Sequence, residues 1–415
     1  MRHIGKQFIE ILPVSWPGAG DEWLHRVGIE VSARNADLHV TGHTYDDTTR
    51  PFIVVNIATK DGLAKAPLLV APLADDTIAT FVDTESESDD VIETWRAAGR
   101  CAADNLGKGY ELHEWKALVG LPAVRFGNGE AFLAEPGQVG PFTLTPAAKP
   151  FREIAFNPAE PSLHGYVHQI SLPLIVRGKS PGYSAQASLG GAARDLNKLC
   201  GLLSIAWNSC MVVRDTPRPI ARSLPEPETI SWQAGFTDGP VTPIPASKAR
   251  HIPEWADTAW RMIQTKSRVA DAVAIHHEGL RSEVSHPSLA LVAFIAAIEG
   301  ISQIIYREER CTTCRSHLDI SAKFRETLRL VLNEEEAAAL EVAYSPRSLT
   351  VHRGRLHGSE IAAGSISAVF NVWSANNPLD FQMTTVRKMA EASGQLLQLA
   401  LQDQLPAKKK FDRPA

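Results

Sequence analysis

Chemistry-bearing residues are densest in the stretch Tyr344-Ser-Pro-Arg347-Ser348-Leu-Thr-Val-His352-Arg-Gly-Arg-Leu-His357-Gly358. Four residues separate Arg347 from His352, so a guanidinium and an imidazole stand about one helical turn apart and can converge on one phosphodiester. Arg offers a permanent planar fork of donors to phosphate oxygens. His takes up or releases a proton near neutral pH. Ser348 can hydrogen-bond a phosphate or orient the guanidinium. His357 adds a second imidazole, and Tyr344 stands three residues before Arg347. Such a set suffices for RNA cleavage without a metal. Arg281 with His286 and Arg310 with His317 fit a looser Arg–His spacing but lack that context, and fourteen histidines make chance pairs expected.

The elements that must position this stretch read as helices. Apolar periodicity predicts helices over 254–279, 287–308 and 321–332, a fourth starting at Glu334-Glu-Glu, and a last one over 382–404. Pro346 breaks or restarts the fourth helix, which places Arg347 in the first turn of a new one. Five helices with short joints predict a bundle over 251–405.

Ahead of it the chain reads differently. Short apolar runs between turn signals predict strands at Val27–Ser32, Phe52–Ile57 and Thr77–Val82. A hairpin is expected around Gly127-Asn-Gly129. Ser171–Arg177 reads as an edge strand because of its proline. A helix over 90–103 interrupts this half, and another over 187–212 packs on the sheet. Prolines at 217, 219, 225, 227, 240, 243 and 245 mark an irregular linker. The expected organisation is α+β and multidomain: a β-rich domain at 1–215, a proline-rich linker at 216–250, the helical bundle at 251–405, and a solvated basic tail at 406–415.

The chain has 415 residues, too many for one typical core, and its 44% hydrophobic and 21% charged composition is that of a globular protein. A net charge of −5 excludes a globally basic nucleic-acid binder, so any polyanion site must be local. No run of eighteen apolar residues occurs and the N-terminus lacks an apolar signal core, so a cytoplasmic protein with no membrane partner is expected. Walker, Gly-x-Gly-x-x-Gly and Gly-x-Ser-x-Gly sequences are absent, which removes nucleotide-driven and serine-hydrolase chemistry.

The form Tyr-x-x-Arg-Ser-x-x-x-His followed by His-Gly, preceded by several helices, resembles the HEPN superfamily and its ApeA-like domains. Glu299 in the apolar segment Phe294-Ile-Ala-Ala-Ile-Glu-Gly and the segment Ser321-Ala-Lys-Phe-Arg-Glu-Thr-Leu agree with that resemblance, which covers about 250–405. It implies an all-α HEPN-type bundle that forms a homodimer, with the Arg347 and His352 of two chains facing one cleft. It also implies a metal-independent endoribonuclease, acting in antiphage defence or as a toxin with an antitoxin, on RNA such as tRNA, and switched on by a phage- or stress-derived activator. Arg347, Ser348 and His352 occupy the motif positions, with Glu299, Tyr344 and His357 supporting. The alternative reading is a catalytically inactive HEPN domain that serves as an RNA-binding or dimerisation module. Pro346 departs from an uninterrupted motif helix. The N-terminal domain, outside the resemblance, is expected to act as a sensor or specificity domain. A β-domain enzyme with the helices as scaffold is a third reading, and it predicts a deep polar pocket within 1–215.

No cofactor is expected, with a structural zinc as the alternative. Cys311-Thr-Thr-Cys314 with His317 resembles half a zinc site, but no second cysteine pair exists. Completion would need His276, His277, His286 or a partner chain. Buried or surface thiols account for the same residues. His164 and His168, four apart, have no third ligand nearby.

Overall fold

The computed structural model of the chain describes residues 6–15, 18–46, 52–73, 76–83, 89–121, 132–146, 151–156, 166–171, 174–220, 249–283, 286–307, 320–344, 350–351, 353–354 and 378–411. The fold is α+β. The described residues divide into two compact units, one from Met1–Leu112 and Pro181–Ser188, the other from His113–Ser180 and Leu189–Ala415.

The first unit contains β1 (Lys6–Leu12), α1 (Gly20–Arg34), β2 (Leu38–Asp46), β3 (Phe52–Thr59), β4 (Ala64–Pro72), β5 (Ile78–Asp83) and α2 (Asp89–Asp104). Its antiparallel sheet has the order β1-β5-β4-β3-β2, leaving β1 and β2 as edges. Val27–Ser32, expected as a strand, lies inside α1. The buried residues Trp23, Leu24, Val27 and Val31 explain the difference, since a spacing of four places them on one helix face. Asp21 and Glu22 in the first turn and Arg34 in the last suit the helix dipole. These residues join Trp95, Ala98 and Ala102 of α2 and Val55, Ile57 and Val70 of the sheet in one core. The Trp23 indole donates to the Gly99 carbonyl at 3.0 Å, fixing α1 against α2.

From Glu111 the chain enters a second sheet. Its strands are β6 (Glu111–Gly120), β8 (Gly137–Val139), β9 (Phe142–Pro146), β12 (Leu174–Gly182) and β13 (Val212–Pro219), in the order β13-β6-β12-β9-β8. Two small pairs accompany it, β7 (Phe132–Leu133) beside β14 (Ala249–Arg250) and β10 (Phe151–Phe156) beside β11 (Tyr166–Ser171). The strand expected at an edge is the central one, β12: its paired residues Leu174–Arg177 carry backbone donors, and its Pro181 falls beyond that ladder with β9. Pro217 and Pro219 instead sit on β13, which is an edge. The expected linker thus begins in β13 and ends in β14, and 221–248 lie outside the described residues, as does the Gly127–Gly129 turn.

This second sheet shares one core with the helices rather than with the first sheet, so the compact units part near 112 rather than 215. The helices are α3 (Ala185–Trp207), α4 (Ala256–Thr265), α5 (Ser267–Ser282), α6 (Pro287–Ile305), α7 (Ile320–Leu328), α8 (Glu334–Glu341) and α9 (Pro378–Leu401). The single helix expected over 254–279 is two, because Lys266 is extended (φ −113°, ψ 94°). Asn333 and Glu336 form a reciprocal capping box that starts α8. Only α6, among the described residues, is long and apolar enough to cross a membrane, and its apolar side chains are mostly core here.

The described part of the tail, up to Phe411, is docked, not frayed. Lys409 pairs with Tyr306, accepting from Arg307 N and donating to Ile305 O, both at 2.9 Å. Phe411 is buried, edge-on to Tyr306 at 5.2 Å. One aromatic anchor and two backbone bonds outweigh the tail's solubility.

Candidate functional site

Arg347, Ser348, His352 and His357 lie outside the described residues, as do Cys311, Cys314 and His317. The structure does describe what flanks the Arg–His stretch on both sides. Before it, α8 leads through buried Ala343 to half-buried Tyr344. The Tyr344 hydroxyl donates to Glu299 Oε1 on α6 at 2.7 Å. Its ring lies 5.3 Å from that of Phe324 on α7, which is fully buried. Three helices therefore meet at one tyrosine, and an ion pair from Arg325 to Glu341 ties α7 to α8 alongside. Within the stretch, Thr350 is buried and its carbonyl accepts from Gly354 N at 3.1 Å. Gly354 has φ +64°, a conformation that favours glycine and closes a helical turn.

Glu299 and Tyr344, named from the sequence as supports, are thus in direct contact, and they join the segment leading into Arg347 to the apolar helix α6. The contact places the Glu299 carboxylate on Tyr344, which stands three residues before Arg347 in sequence. His276 and His277, considered as zinc ligands, are buried and hydrogen-bonded within the core. His276 shares a hydrogen bond with Ser393 at 3.0 Å, and His277 Nε2–H donates to the Met211 carbonyl at 2.6 Å. Burial holds the His277 pKa below its ordinary value. Among the described residues no group of three His, Cys, Asp or Glu side chains is disposed to hold a metal.

Sequence reading missed a second place altogether. In the first unit an open cleft of about 810 Å³ lies between α1 and the edge strand β2. His25, His39 and His43 line it, with Asp21 and Ser32. The signal was the α1 periodicity, which was read with the wrong period. Next to it, Glu22 accepts from Arg26 Nε at 2.7 Å, Gly107 N at 3.0 Å and the Tyr110 hydroxyl at 2.8 Å. Burial alone would raise the Glu22 carboxyl, but these bonds outweigh it and hold the pKa below the usual value.

Comparison with known proteins finds no family model, no curated protein and no solved structure that matches this chain.

Proposed function

We propose that this protein is a metal-independent endoribonuclease of the HEPN type, acting as a homodimer through its helical region. The observation that carries the reading is the Tyr344–Glu299 hydrogen bond. It joins two of the segments on which the family resemblance rests and anchors the approach to Arg347 on a buried helix. Docked neighbours of this kind hold catalytic groups in register.

The residue types define the chemistry. His352 takes the proton of a ribose 2′-hydroxyl as its oxygen attacks phosphorus. The bond from phosphorus to the 5′-oxygen breaks, and a second imidazole, supplied by the other protomer's copy of this histidine, protonates the leaving oxygen. Arg347 stabilises the charge growing on the phosphoryl oxygens. The products carry a 2′,3′-cyclic phosphate and a 5′-hydroxyl, and DNA, lacking the 2′-hydroxyl, is resistant. Defence against phage is the role that such an activity suits, with the first unit as sensor.

The test compares the parent chain with His352→Ala on total RNA and tRNA in EDTA. Cleavage by the parent, with cyclic phosphate ends, should fall about 10²- to 10⁴-fold in the variant. Equal cleavage by both would remove His352 from the mechanism. RNA retained without cleavage by either would turn the reading to an inactive binding platform.

A further inference from the structure

We propose that the outward face of the second sheet binds the phosphate backbone of single-stranded RNA along a row of cations, Arg218, Lys116 and Arg177. The assignment rests on the ribonuclease reading and gives its substrate a docking surface within the second compact unit.

The face follows from alternation along the strands. The Trp115 indole donates to Ser180 Oγ at 2.9 Å, and a Cβ at Gly178 would stand 2.5 Å from the same ring. Trp115, Gly178 and Ser180 therefore lie on the core side, where Trp115 joins the shared core. Lys116, Arg177 and Lys179 take the opposite side. Glu114 shares it, since it pairs with Lys179 at 2.9 Å across β6 and β12.

Register lines up the row. Arg218 of β13 stands opposite Lys116 of β6. Strand β12 is the next neighbour of β6, and the charge of its Arg177 acts on Lys116. Arg177 stands opposite Thr143 of β9, and Thr143 opposite Gln138 of β8. Three cations and two neutral hydrogen-bonding side chains thus cross all five strands. At about 4.8 Å from strand to strand, the row is about 19 Å long.

Such a row is destabilising on its own, because like charges directly opposite each other across strands repel. Lys116 lies between two guanidiniums, is half-buried, and has no carboxylate partner among the described residues. Burial first, and then Arg177, lower its pKa below the ordinary lysine value. Asp215 pairs with Arg218 and Glu114 with Lys179, two carboxylates against four cations. In a chain of net charge −5 this is the local basic surface that a polyanion requires. A string of anions laid across the strands relieves the repulsion, and a single-stranded backbone supplies one. The row meets phosphates rather than base edges, so its binding is sequence-tolerant.

Fluorescence anisotropy tests the assignment on the full chain in EDTA, with labelled 2′-O-methyl RNA and DNA oligonucleotides that have no free 2′-hydroxyl and so cannot be cleaved. Both should bind, with affinity falling as salt rises at a logarithmic slope of about −2 for three phosphates. Lys116→Gln and Arg218→Gln should each weaken binding several-fold and take about 0.7 off that slope. Urea melts should show Lys116→Gln at least as stable as the parent, since it removes like-charge repulsion, so its lost binding is not lost folding. The proposal fails if neither oligonucleotide binds, if both variants bind as the parent does, or if polyglutamate competes as well as RNA. The ribonuclease reading fails separately: oligonucleotides held in this salt-dependent way while unmodified RNA stays intact would keep the row and remove the cleavage. Cleavage undiminished in both variants, with binding unchanged, would keep the enzyme and remove the row.

Discussion

The two compact units use their sheets in opposite ways. The first covers one face with α1 and α2 around Trp23 and Trp95, and gathers a second, smaller apolar cluster of Leu69, Ala79 and Phe81. Its edge strand β2 stays accessible, and the cleft opens there. The second unit merges its sheet with the helices in one core running from Trp115 to Phe411, and Tyr344, which precedes the Arg–His stretch in sequence, packs on that core. A large continuous core can hold a strained or polar segment in place, while a small sheet with a free edge can leave room for a ligand. Support and accessibility have been separated in this chain.

If the second sheet and the helices are one cooperative body, a change at their joint should unfold both. Gly140 is that joint. It sits at φ +54° in the β8–β9 turn, its amide donates to Asp257 at 2.7 Å, and a Cβ there would lie 2.2 Å from the Trp260 ring. Gly140→Ala combines a left-handed backbone cost with overpacking against an aromatic ring, together about 3 kcal/mol. Hydrogen exchange should show lost protection over β6, β9, β12 and α4–α6, and none over β3–β5. Equal loss in both units would abolish the division.

A smaller effect separates the two tyrosine–glutamate bonds. Tyr344→Phe keeps the ring against Phe324 and removes the bond to Glu299, costing about 1 kcal/mol. RNA cleavage should fall by more than thermal stability does, because the approach to Arg347 loses its tether. Tyr110→Phe removes one of the three described bonds to Glu22 in the first unit and should leave cleavage unchanged. Matching losses of activity in both variants would show that neither bond is specific to the site.

The unequal legibility of the two units has a physical basis. Helices α2, α6 and α8 are plain in the sequence because their apolar periodicity is reinforced by local signals: Pro287 at the start of α6, and the Asn333–Glu336 box and acidic first turn of α8. Helix α1 is not, because Val27-Gly-Ile-Glu-Val31 alternates like a strand, and only Trp23 ahead of it extends the spacing of four between Val27 and Val31. That one misread period hides the cleft, since five of its polar lining residues matter only once α1 and β2 face each other. Glu299 and Tyr344 were singled out in the sequence by their place around the motif. Their mutual contact is set by how α6 and α8 pack, which no local pattern encodes. The docked tail was illegible for a similar reason: three lysines outweigh one phenylalanine locally, yet Phe411 finds Tyr306 a hundred residues away in sequence.

The smallest predicted effect is on pH dependence, and it too should differ between the units. His277 in the second unit is buried, and its Nε2–H is committed to the Met211 carbonyl. Burial lowers its pKa, and the Arg281 charge adds to that, while the Met211 bond and Glu278 act the other way. His25 in the first unit is lowered too, but it is only half-buried. For a group whose folded pKa is depressed, the unfolded chain binds the proton first as pH falls. The native advantage is therefore full above about 6.5, the unfolded value, and is lost as pH drops toward the folded one. Each such histidine costs up to about 1.4 kcal/mol per pH unit in that window. Urea melts at pH 7.5 and 5.5, followed by exchange in each unit, should show the larger loss in the second. His277→Gln keeps an amide donor for Met211 and removes the titration, so it should flatten that slope while leaving the first unit's slope as it was. An unchanged slope in the variant would assign the acid sensitivity to other groups and would erase this last contrast between the two cores.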